Sequence, residues 1–179
     1  MAITLNGSAG VTTNSGAVYN GLQQGTAVAS TSGTNIDFTS IPSWVKRITI
    51  MLNGVSTSGT SNLLVQLGDA GGIENTGYTG SAGRTGTSAV AGVASSTAGA
   101  TITNGTAATD SQAGTVYITN VNSNNWIITC IIGNLAAGNP QLNFCGVAKS
   151  TSDTLTQVRI TTVNGTDTFD AGSINILYE

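Results

Sequence analysis

From Asn35 onward, apolar residues recur at every second position in short runs, the period of a half-buried β-strand. Asn35 to Thr39 is a short strand that Pro42 keeps from extending. In Val45 to Asn53, Ile48, Ile50 and Leu52 share one face while Arg47 and Thr49 take the other, and Asn53-Gly54 predicts a turn after them. Leu63, Val65 and Leu67 line the next strand with Gln66 opposite, ending at Gly68, Gly71 and Gly72. Thr115 to Val121 leads through Asn122-Ser123-Asn124-Asn125 into Trp126 to Ile132, which reads as a hairpin. There Trp126, Ile128, Cys130 and Ile132 face one way, and Ile127, Thr129 and Ile131 the other. Both faces are apolar, so a central strand covered on both sides is predicted. Gln141 to Ala148, Leu155 to Val163 and Ser173 to Tyr178 follow, with a turn at Asn164-Gly165.

About eight or nine such strands with Gly/Asn turns, and no sustained helical period, predict an all-β fold: an antiparallel β-sandwich, jelly-roll-like, with an extended N-terminal arm. The arm is residues 1–30, where Gly interrupts short β-prone pieces and large apolar residues are few; residues 31–179 form the sandwich knob. Such an arm buries little by itself and suits attachment to a partner. Thr79 to Gln112 is nearly all small residues and reads as a long excursion with a short strand near Ala100 to Thr103, a candidate contact surface.

Composition narrows the function. Hydrophobic residues make up 39% of 179, enough for a core, but only 7% are charged and 5% aromatic. The five cations, Lys46, Arg47, Arg84, Lys149 and Arg159, are scattered in a chain of net charge −3, which disfavours nucleic acid. No apolar stretch approaches the roughly 18 residues of a membrane span, and the start MAITLNGSAG lacks the basic and apolar regions of a secretory signal. The chain is expected to stay soluble in the cytoplasm of the cell that makes it. Cys130 and Cys145, the two cysteines, read as small buried side chains, with a cross-strand disulfide left open.

The chain has no histidine, which removes Ser-His-Asp and Cys-His arrangements. Among its eight carboxylates, Asp69 with Glu74 and Asp167 with Asp170 are the close pairs. Both lie in Gly- or Thr-rich segments where Asp bonds local backbone, so turns are predicted ahead of a glycosidase pair, with a calcium site as the second option at Asp167 and Asp170. Gly80, Gly83 and Gly86 around Arg84 lack the helix a phosphate cradle needs. The sequons at Asn6, Asn104 and Asn164 read as turns. Trp44 and Trp126 suit core or interface anchors better than sugar platforms. No catalytic, cofactor or metal residues are assigned, and a glycan-contacting set is left unknown.

The segments IPSWVKRITIMLNGVSTSGTSNLLVQLG, GGIENTGY and TVYITNVNSNNWIITCIIG, with the closing LTQVRITTVNGTDTFDAGSINILYE, resemble the C-terminal module of tailed-bacteriophage tail fibre and related virion appendage proteins. The resemblance covers residues 34–179 and is most specific in TTVNGTDTFDAGSINILYE. It implies a homotrimeric β-sandwich knob on the virion, contacting the host surface. Such modules usually end a longer chain with a shaft, whereas about 30 residues precede this one; a short tail fibre or head fibre is expected, or alternatively a capsid decoration protein that stabilises the shell without a receptor role. Expected partners are other copies, virion proteins bound through residues 1–30, and host-surface polysaccharide met by neutral amides and hydroxyls.

Overall fold

The computed structural model describes residues 3–6, 10–13, 18–19, 21–86, 90–136, 138 and 140–179; for 3–19 and 90–94 the description is of the backbone alone. The described residues contain strands and no helix. In chain order the strands are β1 (Ile3–Asn6), β2 (Gly10–Thr13), β3 (Val18–Tyr19), β4 (Gln23–Gln24), β5 (Val28–Ala29), β6 (Asn35–Phe38), β7 (Arg47–Thr57), β8 (Leu63–Asp69) and β9 (Gly72–Ile73). They continue as β10 (Tyr78–Gly86), β11 (Val90–Ser95), β12 (Ala100–Thr101), β13 (Gln112–Asn122), β14 (Asn125–Asn134), β15 (Gln141–Ser150), β16 (Gln157–Thr162) and β17 (Phe169–Tyr178).

All pairings are antiparallel, and two sheets make the expected sandwich. The larger runs β11-β10-β15-β14-β13-β7-β17-β4, with β5 also on β17; the smaller runs β12-β8-β16-β6, with β9 on β8. Alternation dictates what faces inward. One inner row crosses six strands of the large sheet: Ala82, Cys145, Cys130, Val116, Ile50 and Ile176. On the small sheet Val65, Ile160 and Ile36 form the corresponding row. These residues belong to one buried apolar cluster that also holds Ile48, Ile118, Ile128 and Phe169. β1, β2 and β3 pair with one another as a separate three-stranded sheet.

Four sequence expectations change. Asn53-Gly54 is no turn: β7 runs through it. Both neighbours, β13 and β17, step two residues where β7 steps three, so the pair is a bulge that kinks a continuing strand. Gly54 has φ 66°, and Gly172 across from it has φ 93°, with its Cβ position only 2.4 Å from the Gly54 carbonyl oxygen. Thr79 to Gln112 is not a long excursion either. Most of its first part is β10, nine residues in register with β15, hairpinned to β11. The arm boundary also moves inward. Residues 23–24 and 28–29 pair with β17, Gly25 N donates to Ile176 O at 2.8 Å, and buried Ser30 donates its hydroxyl to Ala171 O. The last change is β14: it is central, yet among the described residues only its inner face is covered.

Candidate functional site

The carboxylate pairs are structural fastenings. Asp69 accepts hydrogen bonds from the Ser152 hydroxyl and from Gly71 N (2.7 Å), which hold its carboxyl below the usual carboxylate value. Glu74 accepts from Ser152 N at 2.7 Å and pairs with the Lys149 ammonium. Lys149 is only 5% exposed in its side chain and lies 5.3 Å from the Tyr78 ring centre. Tyr78, whose phenol burial pushes up, donates to Glu74 O and accepts from Leu67 N. The set ties the β8–β9 turn of the small sheet to β15 of the large one.

Asp167 accepts from the Asn164 side-chain amide (2.7 Å) and from Ser61 N (2.9 Å), which hold its carboxyl low. Asp170 accepts from the Ser56 hydroxyl at 2.6 Å instead, so the two carboxylates serve different fastenings. A glycosidase proton donor needs a raised pKa; Asp69 and Asp167 are shifted the other way. Among the described residues no group of three His, Cys, Asp or Glu side chains could hold a metal ion.

Gly80, Gly83 and Gly86 lie in β10, and Arg84 donates to Gly105 O (3.0 Å) and Gln141 Oε1 (2.9 Å), a loop clamp with no phosphate cradle around it. Cys130 and Cys145 face each other across β14 and β15 as buried free thiols, and the neighbouring thiol together with burial pushes Cys130 up. Trp126 is 4% exposed and anchors the core, with its Nε1 lacking a protein partner; Trp44 packs on Tyr178 with ring centres 6.0 Å apart. Asn104 and Asn164 sit in loops and Asn164 Oδ1 accepts from Thr166 N and Asp167 N; the sequon at Asn6 extends outside the described residues.

Two surfaces remain as functional candidates. The first is the end of the sandwich opposite the arm. Residues 23–24 pair with Leu177 and Tyr178, so the arm enters at the end that carries Trp44 and the Ser123–Asn124 turn. The loops after β7, after β12 and after β16 gather at the other end. There Asn62 Oδ1 accepts from Gly105 N (2.9 Å) and from the Thr106 hydroxyl, Asn164 N donates to the Ser61 hydroxyl (3.0 Å), and Thr168 bonds the Ser58 hydroxyl. These bonds pre-order a surface of amides and hydroxyls, with Asp167, Asp170 and Arg84 as its charged groups.

The second is the outward face of the large sheet. Its rows run Thr119-Ile127-Ala148-Thr79, Tyr117-Thr129-Gly146-Ser81 and Thr115-Ile131-Phe144-Gly83 across β13, β14, β15 and β10. Ile127 is 45% exposed, Ile131 58% and Phe144 43%. Sequence reasoning found the apolar second face of β14 but assigned it a cover. No family model matches the chain, and no curated protein or solved structure is significantly similar to it.

Proposed function

We propose that the chain is a non-enzymatic structural module of a tailed-phage virion, a short tail-fibre or head-fibre knob that assembles as a homotrimer. Its N-terminal arm docks on the particle and its opposite loop end touches host-surface glycan. The observation that carries this reading is the polarity of the sandwich, with the arm entering at one end and loops rich in amides and hydroxyls gathered at the other. Sugars are recognised by such groups through many weak hydrogen bonds, and several copies on one particle supply avidity. The low charge removes ionic steering, which suits a passive contact module.

Removing residues 1–20 leaves the residues that pair with β17 in place. The shortened chain is expected to fold as the full chain does and to be missing from assembled particles. Incorporation of the shortened chain at the full-length level refutes the docking role. Particles without the protein are expected to keep intact shells and adsorb poorly; heat-fragile shells with normal adsorption would instead indicate a decoration protein.

A further inference from the structure

Lys46 is the one cation of the five whose side chain bonds nothing among the described residues. Arg47 pairs with Glu179, Lys149 with Glu74 and Arg159 with Asp37, and Arg84 bonds Gly105 O and Gln141. Lys46 lines a pocket of about 250 Å³ together with Ser43, Ser123, Asn124, Trp126 and Thr154. The pocket lies among the β6–β7, β13–β14 and β15–β16 connections, at the end of the sandwich where the arm enters. We infer that it receives a single acidic side chain, Asp or Glu, of the virion protein on which the arm docks. The inference rests on the proposed docking and deepens it by naming the chemistry of the partner.

The lining groups are uncommitted. The hydroxyls of Ser43, Ser123 and Thr154 and the Asn124 side-chain amide bond no other described residue, and the buried Nε1 of Trp126 has no protein acceptor. At the opposite end, by contrast, Asn62, Ser61 and Asn164 spend their side chains on the loops around them. The charge is one-sided as well. No carboxylate lines the pocket, and an ammonium and an indole only donate, so the set calls for an anionic acceptor. The chain itself does not supply one: all eight side-chain carboxylates are bonded elsewhere, and residues 1–30 contain none. One ammonium balances one carboxylate, whereas a phosphate group brings nearly two charges. The walls favour a side chain over a sugar. Trp126, Val45 and Leu155 are each at most 4% exposed, so a sugar ring would find no apolar face to lie on. The backbone is already fixed: Lys46 N donates to Glu179 O (2.7 Å), Thr151 N to Asn124 O (3.0 Å) and Thr154 N to Asp153 Oδ1 (2.6 Å). Binding therefore has only side chains to order.

NMR titration of the purified, isotope-labelled full chain with the peptide acetyl-Gly-Glu-Gly-amide tests the pocket, and incorporation into particles tests its use. The peptide is expected to shift the Trp126 indole and the Ser123 and Asn124 amides saturably. Its Gln counterpart should bind at least ~10-fold more weakly, as should the Glu peptide to Lys46→Met. In particles, Lys46→Glu should fall at least ~10-fold below the wild type, while Val163→Glu, exposed at the other end, keeps the wild-type level. Circular dichroism of Lys46→Glu should stay that of the wild type, because the side chain it replaces has no partner to lose. Equal affinity for the Glu and Gln peptides overturns the inference, as does wild-type incorporation of Lys46→Glu. Tighter binding of methyl glucuronide than of the Glu peptide overturns it in favour of an acidic glycan. Particles that lack the chain without residues 1–20 but retain Lys46→Glu leave the docking reading standing and remove the pocket from it; the reverse pattern keeps the pocket and removes the arm.

Discussion

β8 and β14 are both central strands with apolar residues on both faces, and they end in opposite environments. All seven residues of β8 are buried. Its outward side is closed by the chain itself: the Cβ position of Gly99 stands 2.7 Å from Leu64 Cγ, and Gln66 donates its side-chain amide to Ala98 O at 2.8 Å. β14 alternates strictly between buried and exposed along most of its length, and among the described residues its outer face stays open, with Ile127 and Ile131 exposed. A two-faced apolar pattern therefore reports that a strand has two surfaces to cover. It does not report whether the chain itself supplies a cover for the second of them.

The sharpest way to break the comparison uses adjacent residues of β14. Ile128 is fully buried and Ile127 half exposed. Ile128→Ala should cost about 3–4 kcal/mol of folding stability, from lost burial plus the cavity left behind. Ile127→Ala should cost under ~1 kcal/mol. Urea unfolding of both variants at one chain concentration measures the losses. Equal losses would mean that the outer face is covered within a single chain.

The junction between the sheets sets the next test. Glu74→Gln removes the partner of a buried ammonium and should cost about 3 kcal/mol, because Lys149 is left without its countercharge. Replacing both, Glu74→Leu with Lys149→Met, should recover a large part of that loss. A double variant as unstable as Glu74→Gln would show that the pair itself, rather than the orphaned charge, holds the sheets.

Two glycines extend the contrast between inner constraint and outer freedom. Gly172→Ala places a methyl against the Gly54 carbonyl at a positive φ, and a loss of about 2 kcal/mol is expected. Gly146→Ala meets open space and should be neutral or stabilising by ~0.5 kcal/mol, through reduced freedom of the unfolded chain. Thermal unfolding of the two variants side by side reads the difference.

The strands with large apolar residues were legible in the sequence: Ile48 with Ile50, Val65 with Leu67, and Ile128 with Ile132 all lie inward as their spacing demands. β10 was not, because Gly80, Ala82 and Gly83 carry no apolar bulk, and the strand is held by its nine-residue register with β15. Asn-Gly pairs misled for a related reason. At Asn164-Gly165 the chain does turn, with Gly165 N bonded to Thr162 O, whereas at Asn53-Gly54 the same positive φ serves a bulge. Local chemistry supplies the permitted dihedral, and the neighbouring strands decide its use. The carboxylate fastenings were half legible: a turn role for Asp69 and Asp167 follows from composition, but Ser152 and Ser61 as their partners lie far away in sequence.

The smallest effect concerns acid. Asp69 and Asp167 keep their carboxyls below the ordinary value of 3.8, through the Ser152 hydroxyl and Gly71 amide in one case and the Asn164 and Ser61 amides in the other. A folded-state value below the unfolded one means that the unfolded chain binds protons first as pH falls. Their contribution is therefore complete above the ordinary value and is lost as pH drops through the folded one. Stability should be flat in this respect from pH 8 to about 5 and fall below about 4. Asp167→Asn has no such proton to take up, so the gap between it and the wild type should narrow as pH falls below about 4. Asp170→Asn separates this from a general effect of removing charge at that end, since Asp170 bonds Ser56 and not the Asn164 turn. Urea midpoints of the three proteins between pH 3 and 7 measure the gap; an Asp167→Asn difference that stays constant across that range would remove the linkage and leave only a lost hydrogen bond.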